Sequence, residues 1–221
     1  MRHYPEHLLL PHKAARWRGD YYTFSPAAAH LLSLVSGVER DKIERAKIYG
    51  RSIRRPFPWY GRKSYGGITM PAGDGYAITF TGNLFDPDRL GRNYYAWLNI
   101  ASHEVGHINH IDESNRAADA KYRKLLEAAL YSSVPVIFPR SVYRLGAYFA
   151  KFAQSYIASG GHDASPLEAQ AERGAVVFGD LYKFVSRRYG AGSLTALLRS
   201  DKTDEYKISL IDKWWKDYHS A

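Results

Sequence analysis

Three observations predict an α+β fold. Tyr76, Ile78 and Phe80 alternate with Ala77, Thr79 and Thr81, the period-two pattern of a half-buried strand. From Leu98 the period changes, with Leu98, Ala101, Val105 and Ile108 recurring at helical spacing. Beyond that helix the chain reads as helical to its end. Strand patterns first and helix patterns afterwards are the signature of a small sheet with helices gathered beside it.

Residues 1–24 combine Arg, His, Tyr and Pro without a clear period and are expected to form an arm on the surface. Ser25 followed by Pro26 is an N-cap and first-turn signal, so a helix is predicted over Ala27–Val35, ending near Gly37. The charged stretch Asp41–Lys47 leads into Ile48 and Tyr49, which begin a brief strand reaching Ile53. Arg54–Lys63 reads as a loop. Strands are then predicted over Tyr65–Met70 and Tyr76–Thr81. Pro71-Ala72-Gly73-Asp74-Gly75 between them is turn chemistry that joins them as an antiparallel hairpin. A helix over Asn93–Ile111 follows, and further helices are predicted near 115–131, 140–158, 166–188, 192–199 and 204–217. The expectation is a single domain over 1–221, with an N-terminal arm (1–24), a core at about 45–175, and a helical C-terminal region (176–221).

Composition narrows the function classes. Apolar residues make up 45% of the 221 residues and charged residues 24%, which suits a globular protein. No apolar run approaches the roughly 20 residues of a membrane-spanning helix. The longest candidate, Ala128–Pro139, is interrupted by Ser132, Ser133 and Pro135. Near the N-terminus the apolar stretch Leu8–Leu10 is too short for a signal-peptide core, so a cytoplasmic location, or export without a cleavable signal, is expected. Cysteine is absent, which excludes disulfides and thiolate metal sites and leaves His, Asp and Glu as metal donors. The net charge of +9 favours an acidic partner, nucleic acid among them.

The segment that carries chemistry is His103-Glu104-Val105-Gly106-His107. Residues four apart on a helix lie one above the other, so both imidazoles can converge on one Zn²⁺ at about 2.0–2.1 Å each. Glu104 projects beside them, placed to take a proton from an activated water rather than to act as a third ligand. Gly106 costs a helix about 1 kcal/mol relative to Ala. Its missing side chain would let another backbone pack close.

A third protein donor is required, and spacing sorts the candidates. His110 lies seven residues from His103, a rise of about 10.5 Å, too far to join both other histidines on one tetrahedral ion. It is expected behind the ligands or in the pocket wall, or simply bonded at the helix end. Glu113 fits only a helix that turns sharply after His107. Ser165-Pro166-Leu167-Glu168-Ala169-Gln170-Ala171-Glu172 is the better source. Glu168 and Glu172 share one helix face, so Glu168 can bind metal while Glu172 accepts the second N–H of a ligand histidine. Small Ala169 and Ala171 would allow close approach to the His103 helix. The competing reading is a capping box, in which Glu168 satisfies the Ser165 backbone.

HEVGH followed some sixty residues later by EAQAE resembles the gluzincin branch of the zincin metallopeptidases. It is similar to the HExxH and ExxA[D/E] pair of the CAAX prenyl-protease family and of the minigluzincins. The resemblance spans about residues 65–175. It implies a zincin-like fold, His103, His107 and Glu168 as ligands of one Zn²⁺, and Glu104 as general base. Glu172 stands where Asp is usual, and Asn109 where a hydrophobic residue is usual. The resemblance further implies a strand beside the active helix that binds peptide in extended form, with Tyr76–Thr81 as candidate. The membrane helices of the prenyl-protease group have no counterpart here, so their substrates do not transfer. The activity so implied is hydrolysis of a peptide or protein substrate, by an endopeptidase rather than an exopeptidase.

Tyr143, Tyr148, Tyr156 and His162 are candidates for stabilising the oxyanion, whereas the stripe Val142, Leu145, Phe149, Phe152 and Tyr156 reads as core. Two other readings are carried. A zincin fold without catalysis would serve interaction alone. A basic module would use Arg51, Arg54, Arg55, Phe57, Trp59, Tyr60, Arg62 and Lys63 to bind phosphates and stack bases. Lys213-Trp214-Trp215-Lys216 suits either partner binding or the docking of a C-terminal helix.

Overall fold

The computed structural model describes residues 7–12, 21–51, 66–81, 94–132 and 139–221. Five strands precede most of the helical mass: β1 (Leu9–His12), β2 (Tyr21–Phe24), β3 (Lys47–Arg51), β4 (Gly67–Ala72) and β5 (Gly75–Thr81). The helices are α1 (Pro26–Ser36), α2 (Arg40–Glu44), α3 (Tyr94–Ser132), α4 (Arg140–Ser159), α5 (Pro166–Tyr189), α6 (Ser193–Arg199) and α7 (Asp204–His219). The class is α+β. No helix among the described residues is long and apolar enough to cross a membrane.

The strands form one sheet in the order β1-β2-β3-β5-β4. The β4–β5 hairpin is antiparallel, turning at Gly73 and Asp74, and Pro71 and Ala72 belong to the strand rather than the turn. β5 inserts between β4 and β3 and runs parallel to β3, so the sheet is mixed and not wholly antiparallel. The N-terminal segment is more than a surface arm. Leu8 and Leu9 are fully buried, and β1 pairs with β2 along Leu9–His12. The expected loop at Arg54–Lys63 lies outside the described residues, as do Ile53 and Tyr65.

α1 begins as predicted, with the Ser25 hydroxyl accepting from the Ala28 N–H at 3.3 Å and Pro26 in the first turn. Gly37 closes it at φ 70°, a left-handed conformation that glycine adopts without penalty. The two helices expected over 93–111 and 115–131 are one helix of 39 residues. The polar run Asp112-Glu113-Ser114-Asn115 lacks Gly and Pro, so nothing in it breaks the backbone ladder. Asp112 is held by the Tyr76 hydroxyl and by Lys42, and Ser114 and Ala118 remain buried.

The core sits where the sheet, α1, α3 and α5 meet. Trp97 is fully buried at its centre, its ring 5.1 Å from Phe80 and 6.1 Å from Phe24. The closest helix pair is α3 with α5, and small residues make that approach possible. A Cβ on Gly106 would lie 2.8 Å from the Ala171 Cα, and one on Gly174 would lie 2.7 Å from the Ser102 carbonyl oxygen. Asn99 fastens the crossing by donating to the Ala175 carbonyl at 2.9 Å. The backbone contact foreseen at Gly106 is therefore present, made with Ala171; Ala169 faces outward instead.

Candidate metal centre

His103 and His107 lie on the first half of α3, where Ala101, Val105 and Ile108 are fully buried and orient the helix. The opposite face then presents both imidazoles toward the first turn of α5. That turn is fixed by Ser165, whose hydroxyl accepts from the Leu167 N–H at 3.2 Å. Glu168 does not complete a capping box. Its carboxylate, 8% exposed, is turned to the histidines.

Three atoms form a nearly equilateral triangle: His103 Nε2 to His107 Nε2 is 3.3 Å, His103 Nε2 to Glu168 Oε2 is 3.3 Å, and His107 Nε2 to Glu168 Oε2 is 3.5 Å. Ligands at about 2.0–2.1 Å on a tetrahedral ion stand about 3.3 Å apart. The donor set therefore fits a small divalent cation. A second observation agrees: apart from the two imidazole nitrogens, the buried Glu168 Oε2 has no hydrogen-bond partner among the described residues. An orphaned carboxylate oxygen is costly unless something positive sits against it. The group His103, His107 and Glu168 could hold one metal ion.

Burial works to lower the His103 imidazole, but the carboxylates of Glu168, Glu104 and Glu172 outweigh it and raise the group to about 9. Burial pushes Glu168 up, and its contacts with His103, His107 and Tyr156 outweigh that, holding it well below the ordinary carboxylate range. Both shifts have one cause, the pairing of the His103 imidazolium with the Glu168 carboxylate, and the imidazole must give up that proton before it can bind a metal.

Outside the triangle, the second nitrogen of His103 meets Glu172: Nδ1 to Oε2 is 3.0 Å. This contact fixes the ring so that Nε2 faces inward. His107 Nδ1 has no partner among the described residues. His110 is fully buried and uses Nε2 to meet the Leu167 carbonyl at 3.0 Å, tying α3 to the start of α5. It is not among the metal donors, and burial lowers its pKa. Glu113 is also elsewhere, half-exposed and paired with Lys151 at 2.9 Å.

Glu104 is 5% exposed and points to β4, where the Thr69 hydroxyl donates to Oε2 at 2.7 Å. Burial raises its pKa, and His107, His103 and Thr69 oppose that only in part. Gly67 makes room, since a Cβ there would lie 2.6 Å from the Glu104 Cγ. Neither Gly67 nor Thr69 was predicted as a site residue. The available signal was the strand period, which puts residues 67 and 69 on one face. Among the described residues the strand packed on α3 is likewise β4 and not the expected Tyr76–Thr81, because β5 lies between β3 and β4 in the sheet.

The four oxyanion candidates separate. Tyr156 donates to Glu168 Oε1 at 2.6 Å, and His162 Nε2 lies 3.2 Å from the same oxygen. Tyr148 spends its hydroxyl on the Thr69 carbonyl at 2.8 Å, and Tyr143 packs against Tyr122. Of the apolar stripe expected on α4, Phe152 is buried and Phe149 and Tyr156 pack against the core, whereas Val142 is 49% exposed; Tyr148 is buried beside them. A cleft of about 730 Å³ opens beside His103, lined by Ala169, Glu172, Arg173, Val176 and Val177, with His162 and Asp163 at its rim. Comparison of the chain with protein families, curated proteins and solved structures found no match.

Proposed function

We propose that this protein is a zinc-dependent hydrolase of peptide bonds, with the zincin-like arrangement of His103, His107 and Glu168 as ligands and Glu104 as general base. The observation that carries this reading is the triangle of 3.3, 3.3 and 3.5 Å between three donor atoms, one of them an otherwise unpartnered buried carboxylate oxygen. Two histidines and one carboxylate leave a fourth position for solvent or substrate, which is the composition of a catalytic rather than a closed structural site. When bound, zinc supplies Lewis acidity, lowering the pKa of water and polarising a carbonyl.

The chain's own residues divide the remaining work. Glu104 holds the proton of the attacking water on a carboxylate oxygen and returns it to the departing amine nitrogen; burial raises its proton affinity for this task. Thr69 and Gly67 keep that carboxylate against β4. Glu172 orients His103, and Tyr156 occupies the outer oxygen of Glu168 so that the inner one faces the histidines. Among the described residues β4 ends the sheet; the Tyr148 hydroxyl takes the Thr69 carbonyl, so an extended substrate would pair with other backbone groups of this strand.

The test couples metal analysis with a proteomic cleavage screen. Wild type is expected to carry one zinc per chain and to generate new peptide termini. Glu104→Gln keeps the metal and loses the cleavage, and Glu168→Ala loses both. Zinc-free wild type, or equal cleavage by Glu104→Gln, overturns the reading.

A further inference from the structure

Each carboxylate among the described residues lining the cleft already faces an imidazole. Glu168 meets His103 and His107, Glu172 meets His103 Nδ1 at 3.0 Å, and Asp163 meets His162 Nδ1 at 3.1 Å. The guanidinium of Arg173 has no such partner. It lines the same cleft, is exposed, and makes no hydrogen bond, ion pair or ring contact among the described residues. The sequence explains why. On a helix a side chain meets those three and four positions away, whereas its direct neighbours do not face it. For Arg173 those positions on α5 hold Ala169, Gln170, Val176 and Val177, none of which carries a charge.

The surroundings of this cation within the cleft are apolar. Residues 169, 173 and 177 are four apart and share one face of α5, which puts Arg173 between Ala169 and Val177. Val176, 54% exposed, adds its side chain to the same cleft. A positive charge set in aliphatic surface is complementary to a carboxylate carried on an aliphatic segment. The planar guanidinium can meet both carboxylate oxygens at once, donating two parallel N–H bonds, and it stays charged throughout the physiological pH range. A cationic side chain at the same place meets repulsion, and a neutral one leaves the guanidinium to water. The net charge of +9 draws anionic chains to the molecule as a whole, and Arg173 supplies a point of recognition inside the cleft.

Resting on the hydrolase reading, we propose that Arg173 determines substrate choice: it receives a carboxylate of the peptide, while Val176 and Val177 take an aliphatic side chain next to it. The substrate class is an acidic peptide. Its carboxylate comes either from an Asp or Glu side chain or from the free carboxyl end of the chain. Arg173 is not one of the metal donors, so its part is recognition and not zinc retention.

The test uses zinc-loaded Glu104→Gln protein, so that binding is read without turnover. The first probes are short Ala- and Val-containing peptides with both ends blocked, carrying a single Glu, Gln or Lys stepped through every position. The second probes have no charged side chain and either a free or an amidated carboxyl end. At its best position Glu is expected to bind about tenfold tighter than Gln, the low end for a charge-assisted hydrogen bond, and Lys more weakly than Gln. If the chain end is the source, the free carboxyl form shows that gain over the amide instead. Arg173→Ala should remove the preference and Arg173→Glu should reverse it toward Lys, each with one zinc retained per chain. Arg173 has no partner in the described fold, so neither variant should lose stability in urea unfolding. Equal binding of all probes, or a preference that survives both replacements, overturns the role of Arg173 and leaves the hydrolase reading standing. An Arg173-dependent preference in protein that retains no zinc leaves the carboxylate site standing and overturns the hydrolase reading. No binding of any probe, with zinc retained, overturns the carboxylate site, and the cleavage screen then decides the hydrolase reading alone.

Discussion

α3 is one continuous helix in two environments. In its first half Trp97, Leu98, Ala101, Val105, Ile108 and Ile111 are fully buried, and contact with α5 is made where side chains are missing, at Gly106 and Gly174. In its second half Leu125 and Leu126 are 48% and 40% exposed, and the helix is tied to α4 by charge: Asp119 pairs with both Arg140 and Arg144. The first half is built to hold the His103 and His107 nitrogens against Glu168 of α5, with the three separations at 3.3, 3.3 and 3.5 Å. The second half is built only to stay associated. Rigid placement comes from backbone-to-backbone packing, which has no rotamers to relax, whereas ion pairs near the surface tolerate movement.

The sharpest break of this contrast is removal of a ligand from the rigid half. His107→Ala is expected to abolish stoichiometric zinc, measured by metal analysis. It should also remove the zinc-dependent rise in stability, which amounts to about 4 kcal/mol at a thousandfold excess over Kd. Retention of tight zinc by His107→Ala would mean that the triangle is not the metal site.

Next in size is Gly106→Ala. The added methyl meets the Ala171 Cα at 2.8 Å, backbone that cannot swing aside. Helix propensity alone would favour Ala by about 1 kcal/mol, so the sign of the result discriminates. A net loss of about 1–3 kcal/mol in urea unfolding is expected from overpacking, together with weaker zinc binding as α5 moves away. A gain in stability would show that α3 and α5 are not in backbone contact. Gly146, which lies on α4 with nothing within 4 Å of an added Cβ, is the control.

These two residues also show what could be read without coordinates. The meeting of His103, His107 and Glu168 was legible because its geometry is local: the histidines are one helical turn apart, and Glu168 lies in the first turn of a helix with its own start signal. The glycine contact was half legible, since a costly residue in a helix asks for a reason, though only the fold names Ala171 as the neighbour. The contacts of Thr69 with Glu104 and with Tyr148 were not legible. They depend on β4 rather than β5 being the edge, and strand order is set by long-range pairing that no local period encodes. The uninterrupted α3 was missed for a related reason: between the two expected helices Asp112 is satisfied by Tyr76 and Lys42, both distant in sequence.

A smaller effect is expected from Glu172→Gln. It leaves all three donors in place and weakens only the contact that orients His103, 3.0 Å away. Outer partners of this kind are worth about 10–100-fold in metal affinity. Because Glu172 is 59% exposed, the low end is expected, about tenfold by competition with a chelator. Folding stability without metal should be unchanged. A loss as large as that of Glu168→Ala would make Glu172 a ligand.

The smallest effect belongs to the distal half. Asp119 accepts from Arg140 and Arg144, and these two partners outweigh burial to hold its carboxyl well below the ordinary value of 3.8. A folded-state pKa below the unfolded one means that the contribution is complete above the unfolded value and fades as pH falls beneath it. Metal-free wild type should therefore exceed Asp119→Asn by about 1 kcal/mol at pH 7, the upper range for a partly exposed pair. The difference should hold down to about pH 5 and narrow below about pH 4, where the unfolded carboxyl protonates. Salt should shrink it at every pH, since Arg140 is 55% exposed. Zinc affinity should not change, because nothing at Asp119 touches the triangle; a parallel loss of zinc would mean that the two halves of α3 move as one body and that the contrast between them is false.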